Sequence, residues 1–330
     1  MKAWQYTTTE GGLEKNLHLV NYPEPFASEL KKQQVLVKVL SVSLNPADYK
    51  IPEMGTFMKY IIGNPAIPCQ DFAGRVQATH ASVPESVLKV GDLVFGRSGV
   101  GAKIGSLGEL TVARLDGCVK IPEGVDIDDA AAVGTAGLTA HQSIVPHVKN
   151  GDRVFINGGS GGCGTFGVQI AVMLGAHVTT TCSTANVALM KELGADVVVD
   201  YQTENVLDVL SKNGQVFDLV VDNVGDSSLY LAGERYMKEG ARYLQVGLPS
   251  SGWVSIAKNS VLQGGKRPFK FLQTGRNLPK VFELLGEWIR EGKIKPVIEQ
   301  TFEFEDAPKA FEKVREGRTR GKVVVHVDKL

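Results

Sequence analysis

A glycine-rich segment at residues 158–164 has the spacing of a phosphate-binding loop. Its Gly-x-Gly-x-x-Gly pattern follows a predicted strand and begins a predicted helix, as a dinucleotide fingerprint requires. Glycines let the backbone approach a pyrophosphate, whose charge meets free N–H groups and the positive end of the helix. A nucleoside-triphosphate loop would need Lys where Thr165 stands. We expect dinucleotide contacts from Gly159, Ser160, Gly161, Gly162, Cys163 and Gly164, with plain turn glycines as the alternative.

The end of the second predicted strand bears on which dinucleotide is bound. An NAD-preferring unit usually places Asp or Glu there to accept hydrogen bonds from the ribose, whereas this strand ends in Cys-Ser-Thr at residues 182–184. Without a carboxylate on that turn, a 2′-phosphate is not repelled, which favours NADPH over NADH. No Arg or Lys lies on the turn to strengthen the selection. The candidate donors are Ser183, Thr184, Asn186 and Tyr201, and the first two could instead cap the following helix.

Charge and cysteine distribution exclude other classes of function. The chain has 36 Lys and Arg against 36 Asp and Glu, so no excess charge attracts a nucleic acid or an anionic bilayer. No apolar run approaches the roughly 20 residues that span a bilayer, and the first residues lack a signal peptide's apolar stretch. The four cysteines form no zinc-ligand spacing. We expect a cytoplasmic protein with reduced thiols, no bound metal and a small-molecule ligand.

The elements around the glycine loop alternate between strand-like and helix-like patterns. Residues 153–157, 176–182, 196–200, 217–222 and 242–246 are predicted strands, with amphipathic helices between them. This alternation predicts an α/β fold with a doubly wound parallel sheet. The flanks are richer in proline and in irregular β patterns. We predict a dinucleotide-binding domain at residues 124–266, inserted between residues 1–123 and 267–330 of a β-rich domain.

Several segments together resemble one enzyme family. They are residues 43–50 (Ser-Leu-Asn-Pro-Ala-Asp-Tyr-Lys), 134–140 (Gly-Thr-Ala-Gly-Leu-Thr-Ala), 191–196 (Lys-Glu-Leu-Gly-Ala-Asp), 317–324 (Gly-Arg-Thr-Arg-Gly-Lys-Val-Val) and the glycine loop. Their order is similar to the quinone oxidoreductase branch of the medium-chain dehydrogenase/reductase superfamily, and the C-terminal third most resembles chloroplast-envelope quinone oxidoreductase homologues and their fungal and mitochondrial relatives. The resemblance implies a GroES-like domain, a Rossmann domain, NADPH and reduction of α,β-unsaturated carbonyl compounds or quinones. A homodimer through the Rossmann domain is a further expectation.

Two departures from related enzymes narrow this expectation. Zinc alcohol dehydrogenases carry a catalytic Cys where this chain has Asn45, and Gly-His-Glu where it has Cys69-Gln70-Asp71. Without those thiolate and imidazole ligands, we expect no catalytic zinc. Mitochondrial enoyl-thioester reductases place a proton-donating Tyr near Phe57, which cannot donate that proton. An alcohol or aldehyde oxidoreductase, or a catalytically weak NADPH-binding interaction protein, remains the alternative.

The resemblance directs attention to residues 45–50 for the chemistry. If a hydride reaches the β-carbon of a conjugated carbonyl, negative charge builds on the carbonyl oxygen, which donors can stabilise. The Asn45 amide can donate to that oxygen or to the nicotinamide ribose, although Asn-Pro is also a common turn former. Tyr49 and Lys50 can supply a proton to the enolate. Their alternatives are packing for Tyr49 and a solvated surface charge for Lys50.

The remaining candidates line the expected cofactor and substrate positions. Loops after parallel strands face the ligand, which selects Asn223, Val224, Val246, Gly247 and Leu248. The resemblance adds Thr135, Thr139, Gly321 and Lys322 as cofactor contacts, with helix packing and an ordinary strand start as their alternatives. An apolar substrate cleft is predicted from Phe57, Tyr60, Trp253, Phe269 and Phe271, most of which can equally belong to the core.

Overall fold

A computed structural model describes residues 1–99, 102–246, 267–272 and 276–328. The chain divides into two compact units, Met1–Leu138 with Thr274–Leu330 as unit 1 and Thr139–Gln273 as unit 2. The first division falls inside helix α3, Ile127–Ile144. The domain bounds inferred from sequence, after residues 123 and 266, remain predictions.

Unit 1 is built on an extended β-sheet. Its strands are β3 (Gln34–Leu44), β4 (Asp71–Thr79), β5 (Leu93–Arg97), β6 (Leu110–Arg114), β7 (Cys118–Lys120), β14 (Ile298–Glu303) and β15 (Lys322–His326). They lie in the order β14-β15-β3-β4-β5-β7, with β6 also paired to β3. Only β14 and β15 pair in parallel. A separate antiparallel pair is formed by β1 (Lys2–Gln5) and β2 (His18–Asn21).

The core of unit 1 forms along β3, the longest of these strands. Val35, Val37 and Val39 recur at every second position and are fully buried, because alternate side chains of a strand point to the same face. Phe72 and Phe311 belong to the same cluster. The helices of this unit are α1 (Pro46–Lys50), α2 (Thr56–Ile62), α8 (Pro279–Arg290) and α9 (Ala307–Arg315). Helix α1 begins directly after β3, so it holds residues 46–50 against this core.

Unit 2 contains a six-stranded parallel sheet, as the α/β prediction required. The order is β10 (Val197–Asp200), β9 (His177–Cys182), β8 (Arg153–Asn157), β11 (Phe217–Asp222), β12 (Met237–Gln245) and β13 (Phe269–Phe271). Its helices include α4 (Gly162–Met173), α5 (Val187–Glu192), α6 (Val206–Ser211) and α7 (Ser227–Leu231). Because the strands are parallel, the ends of β8, β9, β10, β11 and β12 meet at one edge, where ligands of such sheets bind.

Candidate functional site

The glycine loop in unit 2 contains glycines with two different roles. A Cβ atom at Gly159 would overlap the Thr180 hydroxyl, and one at Gly164 would overlap the Gly158 carbonyl, so the fold itself requires these two glycines. At Gly161, a Cβ atom would meet only the Gly158 carbonyl oxygen, at 3.7 Å, which is ordinary contact. Gly161 also has φ −79° and ψ 176°, a conformation open to any residue. Its lack of a side chain therefore leaves an open cradle at the N-terminus of α4.

The strand beside the loop holds this cradle in place. The backbone N–H of Gly158 donates to the Thr181 hydroxyl at 2.8 Å, and the N–H of Gly159 donates to the Thr181 carbonyl at 2.9 Å. The Thr181 hydroxyl in turn donates to Asn157 Oδ1 at 2.6 Å. Helix α4 follows at once, and its first-turn N–H groups have no partner within the helix. An anion in the cradle would meet those groups and the positive end of the helix dipole.

Asp222, at the end of β11, organises the neighbouring turn. Its carboxylate accepts from the amide Nδ2 of Asn157 at 2.9 Å and from the Tyr243 hydroxyl at 2.8 Å. It also accepts from the backbone N–H groups of Val224 and Gly225, each at 2.9 Å, and of Asp226 at 2.8 Å. This single side chain therefore fixes the turn at residues 223–225. The sequence reasoning selected the turn but not Asp222, although a carboxylate closing an apolar strand was a visible signal.

A second carboxylate changes the predicted 2′-phosphate region. Asp200 ends β10 and lies opposite Cys182 of β9 in the parallel register. The Thr184 hydroxyl donates to Asp200 Oδ2 at 2.5 Å, and this hydrogen bond is the main cause that lowers the Asp200 pKa. The carboxylate of an NAD-preferring site is expected at the end of β9, where none occurs. The structure adds a carboxylate from the next strand, bonded to one of the four proposed donors.

The other three proposed donors occupy different positions at this edge. Ser183 precedes a 3₁₀ turn at Thr184–Asn186, and its hydroxyl accepts from the Asn186 amide at 3.3 Å. The Ser183 hydroxyl caps no helix. Tyr201 follows Asp200 and is exposed. All four donors thus lie on adjacent turns of unit 2, and their role in binding a phosphate remains a prediction.

Unit 1 gathers Asn45, Asp71, Thr135 and Lys322 into a polar cluster in which all but the half-buried Thr135 are buried. The Asn45 amide donates from Nδ2 to Asp71 Oδ2 at 2.8 Å and accepts at Oδ1 from Lys322 Nζ at 2.6 Å. Thr135 donates to Asp71 through its hydroxyl at 2.7 Å and its backbone N–H at 2.9 Å. Lys322 is 3% exposed and also donates to the Leu44 carbonyl at 2.8 Å. Asp71 accepts hydrogen bonds from both Asn45 and Thr135. It is not among the functional residues predicted from the sequence.

This cluster bears directly on the role predicted for Asn45. The second hydrogen of Nδ2 points to the Ser43 carbonyl at 3.4 Å, a long contact, while the first is held by Asp71. Donation to a substrate oxygen would therefore compete with a contact inside the protein. Gly134 packs directly against this cluster, because a Cβ atom there would overlap the Asp71 carboxylate. Gly134 therefore allows helix α3 to lie close to Asp71.

Tyr49 and Lys50, the two predicted proton donors, differ in their surroundings. Tyr49 is buried, and the Arg315 guanidinium carbon lies 4.2 Å from its ring centroid. Burial raises the pKa of the Tyr49 hydroxyl, while the nearby Arg315 opposes that rise. Lys50 is half-buried, and burial lowers its pKa. Tyr49 thus packs against Arg315, and a proton-donating role for either residue remains a prediction.

An open pocket in unit 1 lies against Asp48 and Gln70. It is open to solvent and has a cavity volume of about 30 Å³. Asp48 is 4% exposed and Gln70 is 7% exposed. The backbone turns there through Cys69, whose φ of 72° is uncommon for a residue with a side chain. The remaining lining residues include Tyr6, Ile51, Ile62, Ile67 and Pro68. Neither Asp48 nor Gln70 is among the functional residues predicted from the sequence.

The predicted substrate aromatics belong to both units. Phe57 and Tyr60 lie on α2 of unit 1 and are 73% and 89% exposed. Phe269 belongs to the edge strand of unit 2, where its ring contacts those of Tyr230 and Tyr243 at centroid distances of 4.9 and 6.0 Å. Phe271 ends the same strand. Gly247, Leu248 and Trp253 lie outside the described residues.

The other predicted cofactor contacts have the following positions. Asn223 and Val224 lie on the turn held by Asp222, and Val246 follows the end of β12. Thr139 is buried in α3, and Cys163 lies in the first turn of α4. Gly321 has φ 76°, and a Cβ atom there would overlap the Val297 carbonyl, so the fold requires this glycine. Their contacts with a cofactor remain predictions.

The described residues contain neither a cluster of metal ligands nor a membrane-spanning helix. Within residues 1–99, 102–246, 267–272 and 276–328, no three His, Cys, Asp or Glu side chains are grouped to hold a metal ion. In the same part of the chain, no helix is long and apolar enough to cross a membrane.

Comparison with known proteins gives consistent matches along the chain. Residues 31–123 match the alcohol dehydrogenase GroES-like domain, and residues 193–325 match the zinc-binding dehydrogenase family. The chain is 46% identical to the trans-enoyl reductase pgmF of Aspergillus terreus, over 99% of this chain and 96% of that protein. It is 31% identical to the chloroplast envelope quinone oxidoreductase homolog of Arabidopsis thaliana, over 98% of each. The solved quinone oxidoreductase of Coxiella burnetii superposes with a TM-score of 0.87 at 31% identity, over 99% of each chain.

Proposed function

Because this chain belongs to the quinone oxidoreductase branch of the medium-chain dehydrogenase/reductase superfamily, we propose that it reduces α,β-unsaturated carbonyl compounds with NADPH. The family resemblance inferred from its motifs is confirmed, as are the GroES-like and Rossmann fold classes. The protein is an oxidoreductase. Quinones are a related class of acceptor, supported by the names of two similar proteins.

The cofactor is a nicotinamide dinucleotide, and the glycine loop of unit 2 fits its pyrophosphate. The open space at Gly161 is a cradle that a side chain would fill, and the helix N-terminus behind it favours an anion. The Asp222-bound turn would lie beside the ribose and nicotinamide, at the strand ends where such ligands bind. When bound, the cofactor supplies a hydride. The preference for NADPH rests on Ser183, Thr184, Asn186 and Tyr201 as donors to the 2′-phosphate.

The polar cluster of unit 1 is the observation that favours this reaction, because of the side-chain types it contains. Asn45, Asp71, Thr135 and Lys322 are bonded to one another, and they offer neither thiolate nor imidazole to a zinc ion. In zinc alcohol dehydrogenases a metal held by such ligands polarises the alcohol or carbonyl oxygen. A conjugated carbonyl accepts hydride at its β-carbon, and the charge then spreads onto its own oxygen. The cluster can position a substrate for that reaction without a metal.

A turnover panel tests the proposal. Purified protein is incubated with NADPH and with enones, enals and quinones, and the loss of nicotinamide absorbance is followed. We expect turnover with conjugated acceptors, no oxidation of saturated alcohols with NADP⁺, and no effect of a chelator. Tight NADPH binding without turnover on any acceptor would refute the reductase proposal and favour an interaction protein. Chelator-sensitive alcohol oxidation would favour the alcohol dehydrogenase alternative.

Two further expectations belong to this proposal. The first is a cytoplasmic location, which remains a prediction from the sequence. The second is a homodimer formed through the dinucleotide-binding domain, inferred from the family resemblance. Cell fractionation and sedimentation velocity would test them.

A further inference from the structure

The pocket of unit 1 contains two buried oxygen atoms that lack hydrogen-bond donors. These are Asp48 Oδ1 and Gln70 Oε1, which have no partner among the described residues and are shielded from bulk water. Both side chains line the pocket. Buried acceptors are normally paired, because desolvation without a replacement bond is unfavourable. If Asp48 is ionised, both oxygens can only accept hydrogen bonds. A proton on the Asp48 carboxyl group would supply a donor at this pocket.

The other oxygen of Asp48 shows where that proton belongs. Asp48 Oδ2 accepts from the backbone N–H of Asn45 at 2.7 Å, so this oxygen is occupied as an acceptor. A proton on the carboxyl group therefore resides on Oδ1, the oxygen without a partner. A carboxylic acid has one O–H donor, whereas a carboxylate has none. Protonation thus converts the unpartnered Oδ1 from an acceptor into a donor, within a side chain that lines the pocket.

The electrostatic surroundings of Asp48 favour the protonated form. Burial, followed by the negative charge of Asp71, raises the Asp48 pKa to about 7, while the Asn45 N–H and Lys322 act in the opposite direction. Burial and the two aspartates also raise the pKa of the Cys69 thiol well above its usual range, so this neighbour stays neutral. Tyr6, on the same pocket, has its pKa raised to about 12, chiefly by burial. The acid of the pocket with a pKa near neutrality is therefore Asp48.

We propose that Asp48 is the proton donor that completes the reduction, with its Oδ1–H directed into the pocket that it shares with Gln70. The proposal rests on the proposed function. The substrate accepts a hydride at its β-carbon, and the alkene electron pair moves onto the α-carbon and the carbonyl oxygen. The Oδ1–H bond then breaks, directly or through one water, and a C–H bond forms at the α-carbon. The products are the saturated carbonyl compound, oxidised nicotinamide and an Asp48 carboxylate, which water reprotonates.

Asp48 meets the requirements of a proton donor better than the neighbours selected from sequence. Tyr49 packs under Arg315, and its pKa lies above the usual tyrosine range. Neither Tyr49 nor Lys50 is among the residues that line this pocket. Tyr6 does line it, but a phenol with a pKa near 12 gives up its proton much less readily than a carboxylic acid. Tyr6 is therefore the appropriate competitor in an experiment.

The first test uses the stereochemistry of the product. An enone that carries a methyl group on its α-carbon acquires a stereocentre when the enolate is protonated. The variants are Asp48→Asn, which keeps an oxygen for the Asn45 N–H, Tyr6→Phe, and the control Asp126→Asn. Asp126 is an exposed carboxylate that accepts from two backbone N–H groups at the start of α3. We expect D48N to lower kcat about 100-fold or more and to give nearly racemic product, while Y6F and D126N keep the wild-type enantiomer.

The pH dependence adds a second readout that a merely structural role would not change. Wild-type kcat should fall as the pH rises above about 7, because Asp48 then loses the proton that it must donate. D48N should lose this decline, whereas D126N should keep it. An unchanged pH profile and enantiomeric excess in D48N would overturn the proposal. Racemic product from Y6F together with normal product from D48N would assign the proton to Tyr6 instead.

A measurement on the protein alone separates this inference from the proposed function. Infrared difference spectra of cofactor-free wild type and D48N, recorded at pH 6, should show a carboxylic-acid C=O band that only the wild type contains. That band should diminish as the pH is raised through 8. Its absence at pH 6 would overturn the assignment of the proton to Asp48. If the band is present but no acceptor is reduced, the proposed function fails while the protonation of Asp48 stands.

Discussion

Replacement of Gly161 by Ala isolates the binding role of the glycine loop from its folding role. The added Cβ atom meets only the Gly158 carbonyl oxygen, at 3.7 Å, and the backbone at Gly161 is in a region that alanine adopts readily. Folding therefore tolerates the methyl group. The same group occupies the cradle that a pyrophosphate would enter. We expect a folded protein with weakened cofactor binding.

The size of the expected effect follows from the hydrogen bonds at stake. A charge-assisted hydrogen bond contributes about 1.5–3 kcal/mol. A phosphate pushed away from one N–H group should therefore lose roughly 10-fold to 150-fold in affinity. The matched control is Gly167→Ala in helix α4, where a Cβ atom would be 3.7 Å from Ile156 Cδ1. This control adds the same methyl group inside the helix rather than at its N-terminus.

Isothermal titration with NADPH and thermal unfolding measure the two properties separately. Gly161→Ala should raise the Kd for NADPH at least 10-fold, with an unfolding temperature close to that of the wild type. Gly167→Ala should leave the Kd unchanged. Equal Kd values for Gly161→Ala and the wild type would refute the assignment of the pyrophosphate to this loop. Unfolding of Gly161→Ala would refute the claim that the fold does not need this glycine.

Other perturbations test the remaining parts of the structure. Ser183→Asp should raise the Kd for NADPH about 10-fold or more through repulsion of the 2′-phosphate, leaving NADH less affected; equal NADPH affinity would place the phosphate elsewhere. Asp200→Asn removes a charge at the same edge and should increase the ratio of NADPH to NADH affinity in direct titrations. Asp222→Asn replaces a carboxylate that accepts five hydrogen bonds with an amide whose NH₂ group would face other donors. This variant should lower the unfolding temperature by about 5–10 °C. Because the Asp48 pKa is raised in the folded protein, its contribution to the free energy of unfolding should fall between about pH 4 and pH 7. Urea unfolding at several pH values should show that this decline is absent from D48N.

The sequence was most informative where a strand has a simple apolar pattern. The predicted strands 153–157 and 217–222 agree with the observed β8 and β11. Strand β12 begins five residues before its prediction, because Gly240, with φ 77°, interrupts the pattern inside the strand. Strand β13 was not predicted, since three residues with a central lysine give little signal. Its pairing with β12 and the contacts of Phe269 with two tyrosine rings stabilise it.

The candidate site was less predictable because residues that are far apart in the sequence contact one another in it. Lys322 and Asn45 are 277 positions apart in sequence, yet their side chains are 2.6 Å apart. A motif can select both residues, but it gives no indication that they bond to each other. Asp222 and Asp200 are ordinary residues in sequence, and their roles depend on which strand ends lie side by side. The raised pKa of Asp48 likewise depends on burial and on Asp71, which only the folded structure reveals.

The most direct test of the proposed reaction follows the hydride itself. The purified protein is given NADPH carrying deuterium at the reactive position of its nicotinamide, together with a simple enone, and the product is analysed by mass spectrometry and NMR. The account predicts a saturated ketone with one deuterium on its β-carbon and an α-hydrogen derived from water. Deuterium on the carbonyl carbon of an unsaturated alcohol, or unreacted enone beside tightly bound NADPH, would contradict it.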